Sequence, residues 1–393
     1  MNIGSFPIKA FQHVCTPFYY YDSEILGETL KTIKNETECH EGFHLHYAVK
    51  ACANPKVLHK IMEAGFGADC VSGGEIDACL QAGFPANEIV FAGVGKADWE
   101  IELGLKAGIQ YFNVESIPEL EVIASLAQRM GKTAPVAFRV NPNVDAHTHH
   151  KITTGLSVNK FGIDLAMLHD AIALAHRLEN IAFKGLHFHI GSQITDIQVF
   201  ESLASRINEI QASLSDEERP GMIDVGGGLG VDYENPEGNP IADFKRYFQT
   251  FREHLHLYEG QTMHCELGRS VVAQCGVLLT RALFVKQSSQ KQFVICDAGM
   301  TDLVRPAMYG SYHLCRNLTA EQERLAGTMN MHRSLHRYDV VGPICESSDV
   351  FLTDYMMPET RRGDLLCFCS AGAYGETMAS QYNSRSLPGC HIF

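Results

Sequence analysis

Between about residues 43 and 268 the chain alternates short apolar runs, rich in β-formers, with amphipathic segments of helical length. The runs predict strands over His44–Val49, Ala68–Val71, Glu88–Ala92, Tyr111–Val114, Val136–Val140, Gly185–Ile190, Met222–Val225 and Met263–Glu266. Apolar residues recur at helical spacing over Asn54–Ala64, Gly74–Ala82, Pro118–Gln128, Leu165–Leu178, Val199–Leu214 and Ile241–Leu255. A strand, a helix and another strand in succession call for parallel pairing with right-handed crossovers. Eight such units in roughly 225 residues fit a closed (β/α)8 barrel of the TIM type better than an open sheet.

After Arg269 the rhythm changes. Val271–Val285, Gln292–Cys296, Tyr338–Val341 and Asp364–Cys369 read as strands with few helical patterns between them, and the early run Phe18–Tyr21 reads likewise. The α/β chain therefore divides into a barrel over 25–268 and a β-rich, sandwich- or barrel-like domain over 269–393 that takes in residues 1–24. The segment His313–Arg337 is polar and irregular, and no element is assigned to it.

Composition narrows the class of protein. A hydrophobic fraction of 45% with 20% charged residues is that of a globular chain, and no apolar run is long enough to span a membrane. The start MNIGSFPIKAFQ lacks a basic stretch followed by an apolar one, so the expectation is a cytoplasmic protein. A net charge of −14 disfavours nonspecific nucleic-acid binding but leaves room for a small anion held by backbone amides and a few arginines. Thirteen cysteines without CxxC spacing read as reduced thiols, mostly buried.

Barrel chemistry gathers at the C-terminal ends of strands, where this chain places Lys50, Asp69, His187, His189, the run Gly226-Gly227-Gly228, Glu266 and Arg269. Phosphate commonly binds after the seventh and eighth strands of such barrels. Three glycines let N–H groups close around an anion, and Arg269 can add a charge-assisted contact; a tight turn needing positive φ explains the same run. Lys50 is either a solvated strand cap or, with a lowered pKa among these polar neighbours, a Schiff-base former. His187 and His189 share a strand face, which suits a metal pair or a ring stacked on a cofactor. No third ligand follows at suitable spacing, so no metal is expected. The cluster His147-Thr148-His149-His150 reads as an exposed loop. Glu266, buried at a strand end, needs a cationic or N–H partner, and a protonated pyridine nitrogen would serve.

These residues sit in the ordered motifs YAVKACANP (47–55), GADCVSGGEI (67–76), RVNPNVDAHTH (139–149), TGLSVNKFGI (154–163), GLHFHIGSQ (185–193) and DVGGGLG (224–230). ELGR (266–269), DAGMTDLVRPAMY (297–309), GPICESSDVF (342–351) and SAGAYGETMASQYNSR (370–385) continue the series. From Pro17 to Pro388 the chain resembles the alanine-racemase-like, group IV decarboxylases, and within them the diaminopimelate decarboxylase family.

The resemblance implies pyridoxal phosphate held covalently by Lys50, with Asp69 nearby and His189 stacked on the ring. It implies that Ser192, Gly227, Gly228, the run Glu266-Leu267-Gly268-Arg269 and Tyr374 surround phosphate and pyridine. Cys345 would be the proton donor, and Arg269, Arg305, Tyr309, Glu346 and Tyr374 would touch substrate. It further implies a homodimer whose sites are shared, Cys345 and Glu346 reaching across between subunits. Where the family usually has proline this chain has Leu267, a departure that keeps the spacing of Glu266 and Arg269.

The implied reaction removes one carboxylate from meso-2,6-diaminopimelate to give L-lysine, the last step of lysine biosynthesis. Charge agrees with that substrate: Glu346 suits a distal ammonium, while Arg305 and Arg269 suit a distal carboxylate. A decarboxylase of a D-amino acid or a polyamine precursor is the nearest rival. A silent regulatory paralogue should have lost Lys50 or Cys345, and both are present.

Overall fold

The computed structural model describes residues 7–11, 13–40, 42–144, 160–326 and 333–392. Two compact units emerge: a barrel unit, Glu28–Gly230 with Asp243–Val271, and a sheet unit, Met1–Gly27, Val231–Ala242 and Val272–Phe393. The chain enters the sheet unit with β1 (Phe18–Tyr21) and then builds the barrel.

The barrel strands are β2 (Phe43–Ala48), β3 (Gly67–Cys70), β4 (Ile89–Phe91), β5 (Tyr111–Val114), β6 (Ala134–Arg139), β7 (Ile181–His187), β8 (Met222–Asp224) and β9 (Thr262–Leu267). Each pairs in parallel with the next, and β9 pairs with β2, so the barrel closes. Polar residues just beyond the strands start the returning helices. Asn54 accepts from the Lys56 N–H at 3.1 Å ahead of helix Pro55–Glu63. Ser72 and Ser116 cap helices Gly73–Ala82 and Ile117–Arg129 in the same way. Each of these caps satisfies an N–H that the first helical turn would leave orphaned. The apolar stripes of these helices, Val57, Leu58 and Ile61 in the first, are buried.

Strand lengths depart from the sequence reading at one instructive place. Gly185–Ile190 was expected as a strand, but β7 stops at His187, opposite Asp224. Beyond that pair the Gly226–Gly228 run turns, so the ladder has no partner to continue on. Two helices lie where the sequence reading assigned none, Ser23–Glu38 and Asp98–Ala107. The second contains Gly104, where a Cβ would press on the Phe112 ring at 3.0 Å.

Branched apolar residues usually fill such a barrel. Here Val90, Tyr111, Ala137 and Met222 form only a small apolar layer. Around it runs a buried polar chain: Thr262 Oγ1 to His264 Nε2 (3.0 Å), and His264 Nδ1 to His46 Nε2 (2.9 Å). Tyr111 reaches His264 Nδ1 (3.3 Å) and donates to Asp224 Oδ2 (3.2 Å). Burial holds His46 down at about 4 and His264 well below the usual imidazole range, so both rings are neutral near pH 7.

In the sheet unit β10 (Gly276–Gln287), β11 (Gln292–Cys296), β12 (Cys315–Asn317), β13 (Leu335–Val341), β14 (Val350–Pro358), β15 (Leu365–Phe368) and β16 (Gly389–Ile392) join β1. Their order is β12-β15-β10-β11-β13-β14, with β1 paired to β10 and β16. The reading of Val271–Val285 as one strand is corrected: Arg269–Val272 is a short helix and β10 begins at Gly276. The backbone of Gly372 comes so close to Gly276 that any side chain there would collide with it. The segment read as irregular holds β12 and the helix Leu318–Leu325, capped by Asn317. Phe11, Phe18, Tyr20, Val277, Leu279, Leu318 and Leu365 pack as one buried cluster. Each such side chain contributes about 1.5–3 kcal/mol by leaving water.

Candidate active site

Lys50 follows β2 in the tight turn Val49–Ala51, at the C-terminal mouth of the barrel. Its Nζ donates to Asp69 Oδ2 at 3.0 Å; the lysine side chain is 35% exposed, the aspartate 0%. Burial pushes the Asp69 carboxyl up to about 7, and the negative charge of Glu266 adds to this against the pull of Lys50.

Glu266, the penultimate residue of β9, lies buried, as the sequence required of it. Asn113 Nδ2 donates to its Oε1 and His187 Nε2 meets its Oε2, each at 3.0 Å. Burial alone would raise this carboxyl, but His187, with Lys50 behind it, outweighs burial and holds Glu266 far below the usual range. His187 is held above its ordinary value in turn, because Glu266 overcomes the desolvation of the imidazole. The barrel thus keeps one ionised carboxylate beside a second carboxyl, Asp224, which burial and Glu266 push well up.

His189 lies past the end of β7. Burial, with Arg139 and Lys50 nearby, drives its pKa well down, so the ring is neutral. Its Nδ1 accepts the Gly227 N–H at 3.2 Å, which fixes the ring against the glycine run. That run is compressed: a Cβ on Gly227 would collide with the Glu266 carbonyl oxygen, and one on Gly228 would lie 2.8 Å from that of Gly191. Gly226 (φ 70) and Gly228 (φ 113) also use backbone conformations that favour glycine. Asp224 Oδ1 accepts the Gly226 N–H at 2.8 Å and steadies the turn. Beside the run, Ser192 Oγ accepts from Arg269 Nη2 (2.9 Å) and Nε (3.2 Å), which leaves the serine proton to be donated elsewhere. Gly268 lies against Ala48 and Ala51, and Leu267 is buried at the end of β9.

These residues fit pyridoxal phosphate on the chemistry of their donors and acceptors. A primary amine stands at the mouth for the aldehyde. An ionised, buried carboxylate can take a pyridinium N–H. A flat neutral ring is fixed beside a side-chain-free cradle, and a serine O–H and an arginine serve an anion. Among the described residues Asp69 Oδ1 is a buried acceptor with no partner, as polar groups facing a bound ligand often are.

Sequence reasoning missed Asn113, Glu115, Arg139 and Asp224 around this mouth. Arg139 Nη1 pairs with Glu115 Oε1 at 2.9 Å, both buried, and the other Glu115 oxygen takes the Gly162 N–H at 2.8 Å. For Glu115 and Arg139 the signal was available as charge at an otherwise apolar strand end. Glu266 and Asp224, not a residue close in sequence, stand with His187 at ligand spacing. His189 is outside that group, so the two histidines do not act as a pair. His147, His149 and His150 lie outside the described residues.

In the sheet unit, Arg305 opens the helix Arg305–Tyr309 and is buried. Its Nη1 donates to Tyr233 Oη and His313 Nε2, each at 2.9 Å. The exposed Cys345 is carried by a loop that Asp349 ties down, accepting from Met300 N at 2.6 Å and Ile344 N at 2.7 Å. Its own N–H goes to Asn383 Oδ1 at 3.1 Å, and the adjacent Glu346 accepts from Tyr382 Oη at 2.6 Å. Tyr374 has φ 55, a strained conformation for a side chain of its size.

Comparison with known proteins places this arrangement. Residues 26–273 match the family model for the pyridoxal binding domain of pyridoxal-dependent decarboxylases, which defines the class. A diaminopimelate decarboxylase of Bacteroides thetaiotaomicron is 55% identical over 98% of this chain and 97% of its own. The crystal structure of the Helicobacter pylori diaminopimelate decarboxylase complexed with L-lysine superposes with a TM-score of 0.90, at 38% identity, over 98% of this chain and 93% of that one. That from M. jannaschii, also in complex with L-lysine, gives 0.85 at 34% identity, over 98% and 89%. The chain belongs to the diaminopimelate decarboxylase family.

Proposed function

We propose that this chain removes one carboxylate from meso-2,6-diaminopimelate to yield L-lysine and carbon dioxide, the last step of lysine biosynthesis. One observation carries the reading: an amine-bearing barrel mouth with a buried, ionised Glu266 stands in a chain 55% identical, almost end to end, to a diaminopimelate decarboxylase. When bound, pyridoxal phosphate supplies the electron sink for the breaking carbon–carboxylate bond.

The protein supplies the rest. Lys50 holds the cofactor's aldehyde carbon, and Asp69 keeps its Nζ in place. Glu266 accepts the pyridinium N–H and so keeps that nitrogen protonated; a charge-assisted bond of this kind contributes roughly 1.5–3 kcal/mol. Ser192, Arg269, Gly268 and the amides of Gly227 and Gly228 hold the phosphate, and His189 covers one face of the ring. Cys345, supplied by the partner subunit of a homodimer together with Glu346, returns a proton from Sγ to the carbon that lost its carboxylate. Arg305 meets the distal carboxylate and Glu346 the distal ammonium, while Tyr309 and Tyr374 line the substrate. An analogue without that carboxylate forgoes a charge-assisted contact with Arg305, a hydrogen bond of roughly 1.5–3 kcal/mol.

No helix among the described residues is long and apolar enough to cross a membrane. Among the described residues none of the thirteen cysteines forms a disulfide, which supports a reducing, cytoplasmic setting.

The test is release of carbon dioxide, with and without added pyridoxal phosphate, from meso-diaminopimelate, D-lysine, D-ornithine and carboxynorspermidine. Cofactor-dependent release from the first, far above the others, is expected. Faster release from any of the others would replace this substrate.

A further inference from the structure

The sequence places Tyr233 between two barrel elements, after β8 and before the helix Phe244–His254, yet Val231–Ala242 belongs to the sheet unit. Asp232 folds this excursion on itself, its Oδ1 taking the Glu234 and Asn235 amides at 2.9 and 2.8 Å. Glu237 pairs with Arg316, and the Asn239 carbonyl accepts from Gln274, so the segment is fastened to the sheet at two further points. What it delivers is the Tyr233 hydroxyl to Arg305.

The geometry around Arg305 fixes proton positions without ambiguity. The Cys369 carbonyl can only accept, so His313 Nδ1, 3.0 Å away, carries the ring proton. A guanidinium can only donate, so His313 Nε2 is the bare acceptor for Arg305 Nη1 at 2.9 Å. Tyr233 Oη takes the second Nη1 hydrogen at 2.9 Å, and Ser311 Oγ lies 3.3 Å from Nη2. The Tyr233 ring also stands under the guanidinium carbon, 4.8 Å from its centroid, and meets the His313 ring edge-on at 5.2 Å. Rotating the planar fork breaks two hydrogen bonds at once, the one to His313 buried. None of these three side chains is a carboxylate, so they orient the cation without cancelling its charge.

We propose that Tyr233 and His313 are positioning residues that set substrate specificity, aiming the Arg305 fork at the distal carboxylate. The inference rests on the reading of Arg305 given above. A planar, two-pronged cation discriminates by direction as well as charge, so its supports govern selectivity.

The product offers a direct probe. Decarboxylation at one end leaves the other end intact, so L-lysine still carries the distal carboxylate, whereas cadaverine is the same chain without it. Competitive inhibition constants of both are measured on the holoenzyme for Tyr233→Phe, His313→Leu, His313→Gln and Arg305→Gln. Arg305→Gln, Tyr233→Phe and His313→Leu each weaken L-lysine by about tenfold or more and leave cadaverine within about twofold. His313→Gln, whose amide oxygen can accept from Nη1, recovers most of the L-lysine binding. If Tyr233→Phe and His313→Leu leave L-lysine unaltered, or weaken both inhibitors alike, while Arg305→Gln is selective, the positioning role is wrong and the reading of Arg305 survives. If Arg305→Gln fails to discriminate, the distal-carboxylate reading falls and takes this inference with it.

Discussion

Glu266 stays ionised in the barrel interior because His187, with Lys50 behind it, outweighs its burial, while Asn113 donates to its other oxygen. Removing one member of a buried pair leaves a charge uncompensated, which typically costs 3–5 kcal/mol. The pH window follows from the directions of the shifts. Glu266 is depressed, so its contribution is complete above its ordinary 4.5 and is lost as pH falls towards its lowered value. His187 is raised, so its contribution is complete below its ordinary 6.5 and is lost as pH climbs through its elevated value. His187→Leu in cofactor-free protein should therefore lower the urea midpoint most between these two pH values, the gap to wild type narrowing on either side. A gap that is flat with pH would show that the pair is not ionised. Lys50, Glu266 and Arg269 were legible because each stands at the end of an apolar strand. Asn113 and Asp224 were not, since only a partner across the barrel sets them apart; Asn113 lies 153 positions from Glu266.

At the scale of elements, the glycine run links sequence to chemistry most tightly. Gly227 has no room for a Cβ because the Glu266 carbonyl occupies the space, and Gly227 also donates to His189. Gly227→Ala must push the β9 end or the loop aside. It should weaken pyridoxal phosphate by tenfold or more, read by absorbance titration, while far-ultraviolet dichroism of the barrel is kept. Undiminished affinity would mean that the cradle lies elsewhere. Strands were readable where burial is continuous, as in β5 and β15. β14 was missed because exposed and buried positions mix along Val350–Pro358 without a clean alternation. The helix Leu318–Leu325 was missed because few of its eight residues are apolar and buried.

Over the whole molecule, eight strand–helix units and a switch to β-rich sequence announced a barrel and a second, sheet-based unit. The excursion Val231–Ala242 could not be read that way, since a short loop between barrel elements looks the same whichever unit it joins. Its allegiance is decided by contacts such as Glu237 with Arg316, 79 positions apart. The lumen was equally opaque: the polar chain from Thr262 through His264 and Tyr111 to Asp224 joins residues that look isolated in their own strands. All of these features serve one claim, that pyridoxal phosphate is bound covalently at Lys50. The direct measurement is borohydride reduction of the holoenzyme followed by peptide mass mapping. The account requires the pyridoxyl mass on the peptide containing Lys50 and its disappearance in Lys50→Ala; the label on any other lysine, or on none, would contradict it.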